Sequence, residues 1–324
     1  MRSSSTFFPG GDARRSANSA RLAHGLAWLL CAATVLLLTA GALVTGTGSS
    51  LAVPDWPLAY GQLFPPMVGG ILFEHGHRLI AASVGVLSIV LAATLWRTER
   101  RRWVRNIALG AVGLVVFQGL LGGITVLLLL PRSVSISHAL FAQLFFLTTV
   151  ILVQVTAPGW RAFVSVARPV EGPLAPLGMA AVFALLGQLV LGATVRHNGA
   201  GLAIPDFPLA YGALIPPLGS FPVLIHFLHR VGAVVVLALV TLLCVKSWRL
   251  GARGPLFRPA LALAVLVGGQ VLLGGTVIWS QKAVLVTTGH LVVGALLLGT
   301  TGLWTLRALA AGFPVSSFKW GGGR

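Results

Sequence analysis

Charge is what this chain has least of. Of its 324 residues only 9% are Asp, Glu, Lys or Arg, and six are acidic. An ordinary soluble domain is about 25% charged, so these residues cannot clothe a soluble surface. With a mean hydropathy of +0.92, most of the chain must face lipid. The formal net charge of +17 does not point to nucleic acid, because no soluble basic domain carries it. Arg-rich loops retained in the cytoplasm are its source. Cysteine is scarce as well. Cys31 and Cys244 both lie in apolar runs, which excludes a disulfide framework or a thiolate metal site. A cleavable signal peptide is not evident: residues 1–24 are polar and Arg-containing, and the apolar run beginning near Leu26 is long enough to span.

A bilayer core needs about 20 apolar residues per helix. Eight runs qualify, at 25–44, 79–96, 107–130, 134–156, 174–195, 231–245, 259–278 and 285–306. The sixth is short as bounded and is expected to begin earlier, taking in Ile225 to Arg230. Counting Lys and Arg by connection puts 18 on the side of the two termini and five (Arg78, Arg132, Arg196, Arg230 and Lys282) on the other. The positive-inside rule then places both termini in the cytoplasm of a multi-pass protein of the cell inner (plasma) membrane. The long connections after the first and fifth spans face outward.

The chain repeats itself. Pro54-Asp-Trp-Pro-Leu-Ala-Tyr-Gly61 recurs as Pro205-Asp-Phe-Pro-Leu-Ala-Tyr-Gly212, at an offset of 151. His77-Arg78, Gln118, Gly122, Gly123 and His138 recur as His229-Arg230, Gln270, Gly274, Gly275 and His290, at an offset of 152. Four spans per half is an even number, so both halves run in the same direction. The expected fold is all-α, with eight transmembrane helices as two tandem four-helix bundles related by a pseudo-two-fold axis along the membrane normal. The expected divisions are a cytoplasmic tail (1–24), an N-terminal half (25–156), a cytoplasmic linker (157–173), a C-terminal half (174–310) and a second tail (311–324). The repeated glycines let helices approach closely or make room for a flat macrocycle.

Four of the eight histidines obey the repeat: His77, His138, His229 and His290. Each lies near the outward-facing start of an even-numbered span. Two imidazoles at one depth can face each other across a bundle and take both axial positions of a haem iron, and ionisable groups at membrane depth are costly unless they serve a function. Zinc fits less well, because no Cys or carboxylate repeats as a further ligand. A proton relay without metal stays open. Arg78 and Arg230 suit a haem propionate or a lipid phosphate. His24 reads as a cytoplasmic loop residue and His197 as a solvated one.

The halves are not equal. Glu74 is the one carboxylate close to a histidine pair, and at the 152 offset His226 stands in its place. Glu74 and His77 share a helix face. Either the carboxylate acts on a reaction beside the macrocycle edge, or it merely pairs with Arg78. The Pro-rich repeat motif reads as an ordered cap over each bundle, with Asp55 and Asp206 turning the chain by binding its own backbone. Trp56 or Phe207 could then lie against a porphyrin.

Thr45-Gly-Thr-Gly, Pro54-Asp-Trp-Pro, Glu74-His-Gly-His-Arg78, His138, His229-Arg230 and His290 together resemble the haem A synthase family, over nearly the whole span from Gly25 to Leu306. The resemblance implies an eight-span oxidoreductase that converts the C8 methyl of haem O to a formyl group, giving haem A for terminal oxidases. It implies Glu74, His77 and His138 at the substrate haem and His229 and His290 on a resident haem b. The haem O-producing farnesyltransferase and terminal oxidase assembly become the expected partners; nucleic acid does not, and a homo-oligomer stays open. One departure is the lack of the outer-loop cysteine pair that some members carry. Two alternatives remain at this point: a quinol-linked dihaem b electron carrier that leaves its haem unchanged, and a transporter on parallel repeats.

Overall fold

A computed structural model describes residues 10–166, 174–252 and 254–312. Parts of the expected tails and linker, with Arg253, lie outside these residues. Among them the chain is helical, with no named strand: α1 (Gly10–Gly46), α2 (Gly69–Thr98), α3 (Arg102–Leu127), α4 (Arg132–Thr156), α5 (Trp160–Val166), α6 (Leu174–His197), α7 (Phe221–Arg249), α8 (Phe257–Trp279) and α9 (Val284–Gly312). A 3-10 turn (Ala200–Leu202) follows α6. Eight of the helices are long and apolar enough to cross a membrane. The shortest of these, α8, has 23 residues, about 35 Å at 1.5 Å per residue.

Besides α1, which reaches back to Gly10, two helices begin well before their apolar runs, the second of them as its short run implied. α2 starts at Gly69 and α7 at Phe221, each ten residues before the apolar run. Their first turns carry Glu74-His-Gly-His-Arg78 and His226 to Arg230. These polar residues depress local hydropathy, yet protein rather than lipid surrounds them: Glu74, His75 and His226 are all buried. Helix geometry persists where the apolar signal fails.

Consecutive helices pack in two rings. α1 touches α2 and α4, with α3 closing the circle; α6 touches α7 and α9, with α8 closing the second. The rings meet where α1 and α4 lie against α9, and α4 against α6. Each ring has its own apolar core, one around Leu30, Leu91, Leu95, Phe145 and Leu152, the other around Leu243, Leu263, Leu297 and Trp304. Both cores fill the ends of the bundles away from the Pro-rich loops. Trp304, wholly buried, donates its indole N–H to Ser247 Oγ at 2.8 Å, which satisfies its one donor. Between the rings, Phe146 and Leu147 press on Gly299 and Gly302, where any Cβ would collide. Small residues at such a seam let backbones close without a hydrophobic drive, which lipid does not supply.

At the opposite end from the loops, Glu99 ties the α2–α3 connection to α5. It accepts from Arg101 at 2.6 Å and from Arg161 at 2.8 Å, and Arg101 also donates to the Val155 carbonyl at 2.8 Å. Burial alone would raise the carboxyl pKa, but the hydrogen bonds and charges of Arg101 and Arg161 outweigh it and hold Glu99 at about 2. His24, read from sequence as a loop residue, is instead inside α1, hydrogen-bonded to Thr156 Oγ1 at 3.2 Å.

Candidate functional site

The cap loops come first, because they fix everything beneath them. In the loop after α1, Asp55 Oδ1 and Oδ2 accept the N–H groups of Tyr60 (2.7 Å) and Gly61 (2.9 Å). In the loop after α6, Asp206 accepts those of Tyr211 (2.7 Å) and Gly212 (2.8 Å). The expected backbone-turning role of both aspartates is what the structure shows. These amide bonds, led by Gly61 for Asp55 and Gly212 for Asp206, hold both carboxyls below the usual carboxylate range. Tyr60 and Tyr211 adopt positive φ (53° and 55°), the left-handed region that non-glycine residues seldom enter. Each phenol pays for this by donating back to the loop, Tyr60 to Ala52 O at 2.6 Å and Tyr211 to Ala203 O at 2.5 Å.

Each loop drops one ring into a notch. A Cβ on Gly123 of α3 would lie 2.6 Å from the Trp56 indole, and one on Gly275 of α8 would lie 2.9 Å from the Phe207 ring. Only glycine leaves that space.

Below the caps, the four repeated histidines follow the same rule. His77 Cε1 lies 3.0 Å from the Cβ position of Gly41 on α1, and His229 Cε1 lies 3.0 Å from that of Gly192 on α6. His138 Cε1 is 3.5 Å from the Cβ position of Gly122 on α3, and His290 Cε1 is 3.4 Å from that of Gly274 on α8. Histidines from α2 and α4, or α7 and α9, thus rest on glycines of the other two helices of their ring. Gly122 and Gly274 carry the offset already noted. Gly41 and Gly192 were missed; their offset of 151 could have found them.

In the second ring the two histidines face each other. The His229 and His290 ring centroids are 6.5 Å apart, with planes at 71°. His77 and His138 lie within electrostatic range of each other. One ring nitrogen on each of His77, His138 and His290 is buried without a hydrogen-bond partner. Such an orphan costs about 1–3 kcal/mol, and a metal ion between paired imidazoles would satisfy it. That donor set and those orphaned nitrogens fit a haem iron. Glutamines from the third helix of each ring brace the second histidine: Gln118 donates to the His138 carbonyl at 3.0 Å, and Gln270 Nε2 lies 3.4 Å from His290 Nε2.

Three differences between the rings bear on the histidine pairs. Glu74 accepts the Val53 N–H at 2.8 Å and pairs with Arg78 at 2.7 Å. In the second ring the Ile204 N–H meets His226 Nδ1 at 3.3 Å. Glu74 and His226 therefore do the same task, fastening the start of a cap loop, but one with a charge and one without. The second difference is Gln188, which donates to the His229 carbonyl at 2.8 Å and approaches its ring at 3.1 Å; its offset partner is Leu37. The third is Arg196 and His197. Their offset partners are Thr45 and Gly46.

Arg78 and Arg230 also close the caps. Arg78 uses four of its five N–H groups, on the carbonyls of Asp55, Leu58 and Val53 and on Glu74. Arg230 uses three, on Leu209, Ile204 and Asp206. His75 turns away from the histidine pair, its Nε2 2.9 Å from Leu63 O. His197, read as solvated, is instead partly buried at the end of α6 and within electrostatic range of His138.

Comparison with known proteins identifies the family of the chain. The COX15-CtaA family, described as cytochrome oxidase assembly protein, matches residues 68–301, from the cap of α2 to the middle of α9. A heme A synthase of Symbiobacterium thermophilum is 34% identical over 243 residues, covering 72% of this chain and 78% of the relative. One of Alkalihalophilus pseudofirmus is 29% identical over 264 residues, covering 80% and 88%. One of Halalkalibacterium halodurans is 34% identical over 224 residues, covering 66% and 72%. The chain, with its two histidine-bearing rings, belongs to the COX15-CtaA family of cytochrome oxidase assembly proteins.

Proposed function

We propose that this membrane protein converts the C8 methyl of haem O to a formyl group by stepwise oxidation, giving haem A for terminal oxidase assembly. The observation that carries the reading is the doubled histidine pair on glycine floors, with a carboxylate beside one pair only. The names of the relatives support the substrate.

In this reading His77 and His138 hold haem O in the N-terminal half (25–156), and His229 and His290 hold a resident haem b in the C-terminal half (174–310). The halves are related by a pseudo-two-fold axis along the membrane normal, and both termini are cytoplasmic. A haem held by His229 and His290 would supply one-electron redox chemistry to the site. Glu74 supplies the negative charge of the N-terminal site, favouring a carbon that loses electrons. Both its oxygens accept hydrogen bonds, so it also keeps the cap shut over the pair and water out. Arg78 and Arg230 offer their remaining N–H groups to propionates while latching the loops. Gln188 gives His229 a side-chain fastening that Leu37 cannot give His77, which suits a haem that stays beside one that must leave.

The test is to extract pigments from cells that express the chain beside a haem O source. Haem A is expected. Unchanged haem O alone would point to a dihaem carrier and refute the reading. His229→Ala should lose the haem b absorbance while haem O still binds; joint loss would contradict separable sites.

A further inference from the structure

Arg196 and His197 end α6 on the outward side, and the function above gives them no task. Arg196 crosses between the rings. Its Nη2 donates to Ala42 O on α1 at 2.9 Å and lies 4.0 Å from the Cβ position of Gly46. Gly46 is also in contact range of Val284, the first residue of α9. The guanidinium is thus held at the meeting point of α1, α6 and α9. Ala42 directly follows Gly41, the floor beneath His77. His197, the next residue, ends α6, the helix that packs on α4, which carries His138. Two cationic or polar nitrogen groups from the second ring therefore stand at the rim of the first ring's histidine pair.

A partly buried guanidinium at a membrane boundary needs an anion or several acceptors. Among the described residues no carboxylate pairs with Arg196: the ion pairs are those of Glu74 and Glu99. The cap carbonyls that occupy Arg78 and Arg230 do not engage it, and its bond to Ala42 O leaves further N–H groups to offer. The equivalent rim of the second ring would be built from Thr45 and Gly46, which carry no charge. The first ring thus has a basic group at this position that the second ring lacks.

We propose that Arg196 and His197 are a carboxylate-binding rim contributed by the C-terminal half to the N-terminal site, where they take one propionate of the haem held between His77 and His138. This rests on the function proposed above, and it makes the two halves jointly responsible for substrate capture. The chemistry recognised is a carboxylate at the edge of a flat apolar ligand. Arg196 provides directional donors and His197 a further N–H.

The experiment uses the full-length protein in detergent with its resident haem. Haem O and its dimethyl ester, in which both propionates are blocked, are titrated in separately, and bis-histidine ligation is read from the absorbance change. Wild type should bind the free acid more tightly than the ester. Arg196→Gln should weaken free-acid binding by about 10- to 100-fold and leave ester binding unchanged. His197→Gln should act in the same direction, more weakly. Arg196→Lys keeps the charge and should retain part of the preference, and the resident haem's absorbance reports that each variant is folded. A preference that survives Arg196→Gln, or an equal loss for both ligands, overturns the proposal while sparing the haem site. Wild-type binding that His77→Ala leaves untouched would overturn the site and the rim together.

Discussion

Replacing Glu74 tests whether one buried carboxylate both fastens the cap and serves the reaction. Its side chain is 5% exposed and that of Arg78 is 14% exposed, while Val53, whose N–H it accepts, is fully buried. Glu74→Ala leaves an orphaned amide, worth about 1–3 kcal/mol, and strips a buried guanidinium of its counter-ion, worth about 3–5 kcal/mol. The two losses share one side chain and do not add. Arg78 keeps three carbonyl acceptors, which places the total near the lower figure, at about 3 kcal/mol. Glu74→Gln retains one acceptor but turns an NH2 toward a second donor, at a cost of about 1–2 kcal/mol. At about 1.4 kcal/mol per tenfold, the Val53 amide should exchange with deuterium roughly 10-fold faster in Glu74→Gln and roughly 100-fold faster in Glu74→Ala. Exchange at Ile204, in the other cap, should not change. Mass spectrometry of the loop peptides measures both, and pigment extraction from the same variants should show haem O or its alcohol accumulating. Unchanged exchange at Val53, or equal acceleration at Ile204, would refute the latch. Normal haem A output would refute the chemical role.

Two further outcomes follow from the geometry. Gly41→Val places branched carbons where His77 Cε1 already stands 3.0 Å from the Cβ position, so haem O binding should fall while the haem b spectrum persists; Gly192→Val should do the reverse, and loss of both signals in either variant would contradict independent floors. Glu99, ordinarily near 4.5 and held at about 2 in the fold, has a depressed pKa. Its contribution is therefore complete above about 4.5 and is lost as pH falls toward 2; limited proteolysis between α4 and α5 should accelerate across that window, and Glu99→Gln should cut equally fast at every pH.

Much of this was legible in the sequence because membrane physics leaves few choices. Apolar runs of span length admit only helices or closed barrels, and eight runs became eight long helices. The repeat picked His77, His138, His229 and His290 out of eight histidines, and all four rest on glycines. It failed where the halves have diverged. Arg196 and His197 have no repeated partner, so a search by offset passes over them, and a basic residue at a span end reads as a solvated topogenic charge. The start of α2 was hidden for another reason: hydropathy measures affinity for lipid, and its first turns are enclosed by protein; the earlier start of α7 was legible only because its apolar run was too short to span. The pairing of Arg78 with Glu74 was among the sequence readings, but its other partners were hidden, because carbonyls supplied by a loop some 20 residues earlier leave no trace in residue identity.

The bond from Arg196 to Ala42 O has a consequence for how a duplicated protein can specialise. Two identical chains meeting as a symmetric dimer must present identical residues to one another, so any substitution at the seam alters both sites at once. Joining the copies end to end removes that constraint. Thr45 and Gly46 on one copy and Arg196 and His197 on the other can be selected separately, and each copy's residues are judged by what they do for its neighbour. The C-terminal half alone, even if it folded, would carry the rim proposed for the other half's ligand.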